Sequence, residues 1–314
     1  MNKRKMGAVA LLMAGIVLAA SVITAFTGVS HKRREDEWTI VTSFYPVYIA
    51  ALNLTDGVEG VSLETLAGPQ TGCLHDYQLS PDNQMALESA DVVVLSGAGA
   101  ESFLDGALAA LDDVPVVDLS QGIDLLKSEH SHEHEDGEIH ALYNEHIWTS
   151  PTRYARQIQN LGDALIRLDP VHAAAYQANT QRYLQQIEGI ERQVEEIAAS
   201  LTPTDTILFH ESLAYLAQDL GVTVLADIPI GEDEPVSAST LVQAEQAIRP
   251  DHRLWLLYDS QYPSDDYDYL GKRARQSQKL TLDMAVRGPL EKSAWLNAMT
   301  ANLEQIRAAE GEGQ

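Results

Sequence analysis

Cysteine is almost absent from this sequence of 314 residues, which contains a single one, Cys73. An intramolecular disulfide is therefore excluded. A chain of this length can bury a core that is large enough to fold without such cross-links. A lone thiol does not identify the cellular compartment, so the compartment has to be inferred from other features.

Basic residues are also few. Lysine and arginine total 21 against 46 aspartates and glutamates, which gives a formal net charge of −25 and a pI near 4.6. Nucleic acids and anionic membrane surfaces would repel such a chain, so neither is expected as a partner. A cationic ligand suits this charge, although most of the acidic residues are expected to lie on a solvated surface.

Motifs for nucleotide and protease chemistry are missing or incomplete. No glycine-rich loop leads into Gly-Lys-Ser/Thr, so the chain is not expected to be a P-loop ATPase such as those that drive transporters, and no His-Glu-x-x-His zinc motif occurs. The turn Gly97-Ala98-Gly99 follows a predicted strand, and Asp118 follows about 20 residues later, as in a dinucleotide fingerprint. Its third glycine is replaced by Ser102, so NAD binding is not expected.

The amino terminus carries a long apolar run. Residues 7–29 are apolar apart from small and hydroxyl residues, and basic residues flank both ends. These flanks exclude a buried core helix and are typical of a signal peptide or an N-terminal membrane anchor, which we assign to residues 1–36. No cysteine lies near the end of the run, so a lipid attached there is excluded. The bulk of the chain is therefore expected outside the cytoplasm, at a cell surface or in a periplasm.

After residue 36, short apolar segments alternate with helical patterns. Strands are predicted at 38–41, 61–66, 91–95, 114–118, 206–209, 222–225, 254–258 and 279–282. Helices are predicted between them, including 101–111 and 267–276, and residues 150–200 are helical throughout. This alternation indicates an α/β fold with parallel sheets. We predict two parallel-sheet α/β lobes joined by a long helix, with an N-terminal lobe at 37–149, a linking segment at 150–201 and a C-terminal lobe at 202–314.

Four potential metal ligands lie at predicted strand ends or near the lobe junction. His75 lies a few residues beyond the second strand, and His210 and Asp283 directly follow two later strands. His146 lies just before the long helical segment. In open parallel sheets, ligand-binding groups gather at the carboxyl ends of the strands. Three neutral imidazoles and one carboxylate form a tetrahedral Zn²⁺ set, so the sequence predicts a zinc site at these positions.

A second group of histidines lies in the polar stretch 128–140. Its members are His130, His132, His134 and His140. The stretch has almost no apolar residues and is predicted to be a disordered surface loop. Flexible imidazoles in such tracts can bind Zn²⁺ weakly without a folded site, and a passive loop is the alternative. We hypothesise that this His-rich loop concentrates zinc or helps to transfer it to the cleft.

Several short segments carry a distinctive combination of residues. They are 75–81 (HDYQLSP), 91–101 (DVVVLSGAGAE), 144–151 (NEHIWTSP), 210–215 (HESLAY) and 281–283 (TLD). Together they resemble the metal-specific solute-binding proteins of ABC importers, which capture zinc or manganese. The resemblance runs from about Ile40 to the end of the chain.

The resemblance implies a metal ion held between two lobes by His75, His146, His210 and Asp283. In that family a histidine at the third position goes with zinc and a glutamate with manganese, so His210 favours zinc over manganese. A His-rich loop before the second ligand is likewise typical of the zinc members. The resemblance also implies a monomer without enzymatic activity, which delivers its ion to an ABC transporter permease and stays on the membrane if residues 1–36 are not cleaved.

Two assignments in this site stay open. Asp283 is one choice of fourth ligand, and water, Glu211 or Asp259 could take its place. Cys73 lies two residues before the first histidine, and we interpret it as a small buried residue rather than a ligand.

Two other functions are alternatives. A manganese-binding member of the same family is one. The other is an exported zinc hydrolase, in which Glu211 beside His210 would act as general base on a zinc-bound water.

Overall fold

A computed structural model describes most of the chain after the amino-terminal segment. It covers residues 37–72, 74, 77–111, 113–128, 132–133, 139–140, 142–230, 236–262 and 266–311. The predicted signal or anchor segment lies outside these residues, as do Cys73, His75, His130 and His134. Within the described ranges, no helix combines the length and the apolar character that a membrane span requires.

The first lobe is built on a four-stranded sheet. Its strands are β1 (Trp38–Thr42), β2 (Val61–Thr65), β3 (Val92–Leu95) and β4 (Val116–Asp118), in the order β2-β1-β3-β4. Its helices are α1 (Tyr45–Leu54), α2 (Pro81–Ser89) and α3 (Asp105–Leu108). All strand pairs are parallel, and β3 is a run of valines that are buried because helices cover both faces. Ser80 caps α2 by accepting a hydrogen bond from Asn83 N, and Pro81 fits the first helical position.

The His-rich stretch is not irregular throughout. It contains β5 (His132–Glu133) and β6 (Ile139–His140), which pair antiparallel. At its base Ser128 N donates to Leu142 O and Asn144 N donates to Leu126 O. These main-chain hydrogen bonds bring the chain on both sides of the stretch side by side. The prediction of a disordered loop over all of 128–140 is wrong at these two strands.

Two long helices follow, α4 (Pro151–Leu168) and α5 (Ala173–Ser200). Ser150 caps α4 through a hydrogen bond from Arg153 N, as the Ser-Pro start predicts. The two helices lie close together at Gly162, where a Cβ atom would come within 2.4 Å of Thr180 Oγ1. A glycine is therefore required at this contact.

The second lobe repeats the strand order of the first. Its strands are β7 (Thr204–Leu208), β8 (Thr223–Asp227), β9 (Arg253–Asp259) and β10 (Gln276–Leu282), in the order β10-β9-β7-β8. Its helices are α6 (Ala214–Asp219), α7 (Ala238–Ala247) and α8 (Ala294–Gly311). Counted from the first strand of each lobe, both sheets have the order 2-1-3-4 and are parallel throughout. The predicted fold class, two parallel-sheet α/β lobes, is confirmed, and in place of the predicted long helix between them the chain forms two helices, α4 and α5.

Two predicted helices are shorter or absent. Residues 101–111 form a 3₁₀ turn (Ser102–Leu104) followed by the four-residue α3, in a segment that Gly106 weakens as a helix. Residues 267–276 form a 3₁₀ segment (Asp268–Arg273), and β10 already begins at Gln276. Here Gly271 packs against Ser277, where a Cβ would meet Ser277 Oγ at 2.5 Å. This tight turn leads directly into the strand.

One apolar cluster among the described residues contains side chains from both lobes. At its centre the Trp148 indole donates to Met284 O at 2.8 Å, and the Trp295 indole donates to Trp148 O at 3.0 Å. The Tyr154 ring stacks on Trp295 at 4.3 Å between centroids. Because both indole N–H groups find carbonyl partners, the two tryptophans can be fully buried without losing hydrogen bonds.

Candidate metal centre

Two of the predicted ligands lie together in the cleft. His146 immediately precedes a 3₁₀ turn (Ile147–Thr149), and His210 follows β7 after one intervening residue. Their rings are 5.2 Å apart between centroids at 84°, and both residues have no exposed surface. Chain segments that are 64 positions apart in sequence thus present two imidazoles to the same buried space.

Asn144 fixes the orientation of His146. Its Oδ1 atom accepts from His146 N at 2.9 Å and contacts His146 Nδ1 at 3.1 Å. An amide oxygen is an acceptor, so this contact favours the neutral tautomer with its proton on Nδ1. The lone pair on Nε2 is then directed away from Asn144 and is suited to a metal ion.

The same asparagine connects the two histidine-bearing turns. Asn144 Nδ2 donates to Glu211 O at 2.7 Å, directly after His210. Thr149 Oγ1 adds a second link, since it lies 2.9 Å from Ser212 O and 2.8 Å from His146 O. Tyr215 supports this arrangement by donating to Asn144 O at 2.6 Å. All of these groups are buried, so the distance between the two turns is set by satisfied hydrogen bonds.

His210 has a different environment. Its Nδ1 accepts a hydrogen bond from Ser212 N at 3.2 Å, and its ring stacks on Tyr262 at 5.4 Å. An accepting Nδ1 places the proton of the neutral ring on Nε2. Coordination of a metal through Nε2 therefore requires this proton to move to Nδ1 and the Ser212 contact to break.

Two aspartates lie at the ends of neighbouring strands. Asp259 is the last residue of β9, and Asp283 directly follows β10. Asp259 accepts from Gln261 N at 2.8 Å and Gln261 Nε2 at 3.1 Å, one bond to each oxygen. Burial raises the pKa of Asp259 to about 6, and the negative charge of Asp283 acts in the same direction.

Asp283 is held mainly through its backbone. Its N–H and C=O both bond the side-chain amide of Asn302, and its Oδ1 accepts from Ala285 N at 2.8 Å. Among the described residues, no donor bonds its Oδ2. Of the two aspartates, Asp283 therefore has the oxygen that is better placed to become a ligand.

Two glutamates also lie at the centre. Glu145, His146 and Glu211 are all buried, and one potential ligand atom from each lies within 4.8 Å of the other two. Glu211 was predicted from the sequence as an alternative ligand, whereas Glu145 was not predicted. The sequence feature that could have pointed to Glu145 is its position directly before the predicted ligand His146. This feature is weak evidence, because adjacent side chains need not face the same space.

Of the four predicted ligands, the structure brings His146 and His210 together and places Asp283 at the end of β10. His75 lies outside the described residues, as does Cys73, so the complete ligand set stays a prediction. Parallel α/β lobes with buried nitrogen and oxygen donors at the strand ends are the features of a two-lobed binding protein for a metal ion.

The comparison with known families agrees with this class. The profile of the family described as "ZnuA: Zinc-uptake complex component A periplasmic" matches residues 40–309, and the chain belongs to that family.

The chain is similar to several characterised relatives. It is 24% identical over 262 residues to "High-affinity zinc uptake system protein ZnuA" of Bacillus subtilis (strain 168), covering 81% of each chain. It is 26% identical over 200 residues to "Iron-binding protein YfeA" of Yersinia pestis, covering 63% of this chain and 61% of the relative. It is 22% identical over 236 residues to "Zinc-binding lipoprotein AdcA" of Streptococcus pneumoniae, covering 73% and 46%. The chain thus spans less than two thirds of the length of the last two proteins.

Solved structures share the fold. A crystal structure of ZnuA is 26% identical, with a TM-score of 0.68 over 88% of this chain and 100% of the other. The binding protein FpvC from Pseudomonas aeruginosa, in complex with Mn²⁺, is 20% identical, with a TM-score of 0.71 over 88% and 100%. The second comparison supports the fold alone.

Proposed function

We propose that this protein captures Zn²⁺ in the cleft between its lobes and delivers it to the permease of an ABC importer. His75, His146 and His210 supply three nitrogen ligands, and Asp283 supplies the fourth. The observation that carries the proposal is the pair of buried imidazoles, of which His146 is oriented through its Nδ1 contact with Asn144.

Zinc is favoured over manganese by the donor set. Imidazole nitrogens suit Zn²⁺, whereas Mn²⁺ prefers a site rich in carboxylate and carbonyl oxygens. The names of the relatives support zinc for ZnuA and AdcA, but YfeA is named for iron and FpvC was solved with manganese. The choice of metal therefore rests on the nitrogen ligands of this chain.

The proposed organisation follows the same family. Residues 1–36 act as a signal peptide or membrane anchor, residues 37–149 and 202–314 form the two lobes, and residues 150–201 link them. We propose an extracytoplasmic monomer that binds without catalysing a reaction. The shared apolar core between the lobes favours release through local rearrangement of the cleft rather than through a wide hinge motion.

The test is a metal titration of the purified protein in competition with a chelating dye. We expect one tightly bound Zn²⁺ per chain and weaker binding of Mn²⁺. Tighter binding of Mn²⁺ than of Zn²⁺, or no stoichiometric zinc, would contradict the proposal. Assays of the zinc-loaded protein for esterase and peptidase turnover test the hydrolase alternative, and we expect no turnover.

A further inference from the structure

We propose that Glu145, Glu211 and His146 form a second zinc position, an entry site that holds the ion before it moves to the histidine centre. This inference rests on the proposed function and adds to it the route by which the ion arrives. The entry site is defined by these three side chains and is distinct from the predicted four-ligand set, with which it shares only His146.

The geometry of the three side chains suits a metal ion. Their ligand atoms lie within 4.8 Å of one another, and the residues are 8%, 6% and 0% exposed for Glu145, Glu211 and His146. A tetrahedral Zn²⁺ with bonds of about 2.1 Å separates its ligand atoms by about 3.4 Å. A contraction from at most 4.8 Å to about 3.4 Å therefore converts the cluster into a coordination sphere.

The charge of the cluster favours a cation. Two carboxylates are costly to bury near one another, and a divalent ion between them offsets their charge. Carboxylate oxygens are harder ligands than imidazole nitrogens, and zinc is held well by the nitrogens. Glutamates attract the ion by charge, and the histidine centre retains it.

The entry site lies at the base of the His-rich stretch. Ser128, the first residue of that stretch, donates through Oγ to Glu211 Oε2 at 2.9 Å. The main-chain bonds of Ser128 N to Leu142 O and of Asn144 N to Leu126 O bring the end of the stretch to the same place. Glu145 directly follows Asn144. The chain on both sides of the stretch therefore leads to the two glutamates.

The shared ligand defines how the ion moves. His146 keeps its bond to zinc while the bonds to Glu145 and Glu211 break and those to the remaining ligands of the centre form. The two positions cannot be filled at once, because one imidazole nitrogen binds one ion. The glutamates therefore provide a path between two states and do not contribute to the final complex.

Stopped-flow zinc exchange against a chelating dye tests this path. In the double variant Glu145→Gln, Glu211→Gln, we expect the association and dissociation rates to fall together by about tenfold or more, with the equilibrium Kd unchanged. The matched control is Glu188→Gln, Glu196→Gln, which removes two exposed carboxylates of α5 that pair with Arg192 and Arg307. We expect wild-type rates for the control.

Two outcomes would overturn the entry site. A higher Kd with faster dissociation in the double variant would make the glutamates ligands of the final centre. Unchanged association and dissociation rates would show that the two glutamates have a structural role and no role in zinc exchange. A wild-type protein without tight zinc binding would instead contradict the proposed function, so the two failures are distinguishable.

A second measurement does not depend on the folding of the double variant. In a His210→Ala protein whose loop histidines are replaced by asparagine, equilibrium dialysis with Zn²⁺ should detect one weak site. Adding Glu145→Gln alone should abolish that site. Persistence of the site without Glu145, or its absence in the His210→Ala protein, would count against the proposal.

Discussion

The two lobes share a strand order, but the residues that follow their first strands, β1 and β7, make different contacts. In the first lobe, Ser43 N follows β1 and donates to Val94 O, and in the second lobe Phe209 N follows β7 and donates to Leu257 O. The backbone therefore leaves both sheets in the same way. The next contacts differ, because Ser43 bonds within its own lobe while Phe209 leads into His210 in the cleft.

The partner of Ser43 is a fully buried carboxylate. Glu101 accepts from Ser43 Oγ at 2.7 Å, Ser96 N at 2.7 Å and Gly97 N at 3.1 Å. Burial raises the pKa of Glu101 to about 7, although the three hydrogen bonds act in the opposite direction. The Glu101 side chain thus accepts hydrogen bonds from the O–H and N–H donors at this edge of the first sheet.

The glycine-rich turn has a corresponding structural role. Gly97 has φ of 84°, and a Cβ there would lie 1.8 Å from Asp118 Oδ1. Its N–H serves Glu101, which explains why a turn that resembles a dinucleotide fingerprint does not need a phosphate. The edge after β1 is therefore occupied by a carboxylate of the protein itself, whereas the edge after β7 leads into His210, one of the predicted ligands.

The largest effect should come from the two buried histidines that lie together, His146 from the first lobe and His210 after β7. Replacing His146 and His210 by alanine should weaken zinc binding by about 5 kcal/mol or more, if the roughly 10–16 kcal/mol of a zinc site is shared by four ligands. Dye competition measures the loss. His252→Ala is the matched control, because this ring pairs with Asp205 and lies outside the cleft cluster. Equal losses of zinc affinity in the control and in the double variant would show that the effect is not specific to His146 and His210.

Glu101, at the edge of the first sheet, should instead affect how the stability of the protein depends on pH. Folding raises the pKa of Glu101 from about 4.5 to about 7. The Glu101 carboxyl therefore gives its full stabilisation at pH values below about 4.5, and this stabilisation is lost as the pH rises through about 7. Relative to Glu101→Gln, wild type should therefore lose about 3 kcal/mol across this window. Urea unfolding of the metal-free proteins at several pH values checks this.

The matched control for this experiment is Glu188→Gln, an exposed carboxylate on α5. It should leave the pH dependence as in wild type. If Glu101→Gln also leaves the pH dependence unchanged, Glu101 does not titrate in this window. Its carboxyl would then not account for the difference between the first and second sheets.

An intermediate effect is expected where the two histidine turns are joined. Asn144→Leu removes the partner of His146 Nδ1 and the donor to Glu211 O, and should weaken zinc binding by about 10- to 100-fold, as for other groups that orient metal ligands. Asn144→Asp keeps the acceptor and should recover part of the affinity. The control Asn179→Leu removes an equally buried amide that bonds Leu54 O, and should lower stability without changing the zinc Kd.

The smallest effect should separate the two aspartates. Asp283→Asn keeps a neutral oxygen at the same position as a weaker ligand, so it should raise the zinc Kd by only about tenfold. Asp259→Asn should change the Kd less, since hydrogen bonds from Gln261 occupy both of its oxygens. A larger loss for Asp259→Asn in the same titration would reassign the fourth ligand.

Local sequence patterns predicted the sheets and the start of α4, because burial on both faces and helix capping depend on neighbouring residues. The ends of the strands likewise predicted that His210 and Asp283 would lie at the carboxyl edge of a sheet. Asn144 and Glu145 were not recognised as part of the centre. Their roles depend on contacts with residue 211, which is 67 positions from Asn144. Such contacts follow from tertiary packing and leave no periodic pattern.

Trp148 has a practical consequence for studying this protein. Its ring lies 5.3 Å from that of His146 and 5.0 Å from Phe44, and its N–H bonds Met284 O. Indole emission is sensitive to nearby charge, so a divalent ion bound at His146, as proposed, should change the light that Trp148 emits. The chain thus contains its own optical reporter, positioned where the two lobes meet, and occupancy can be followed without an added label.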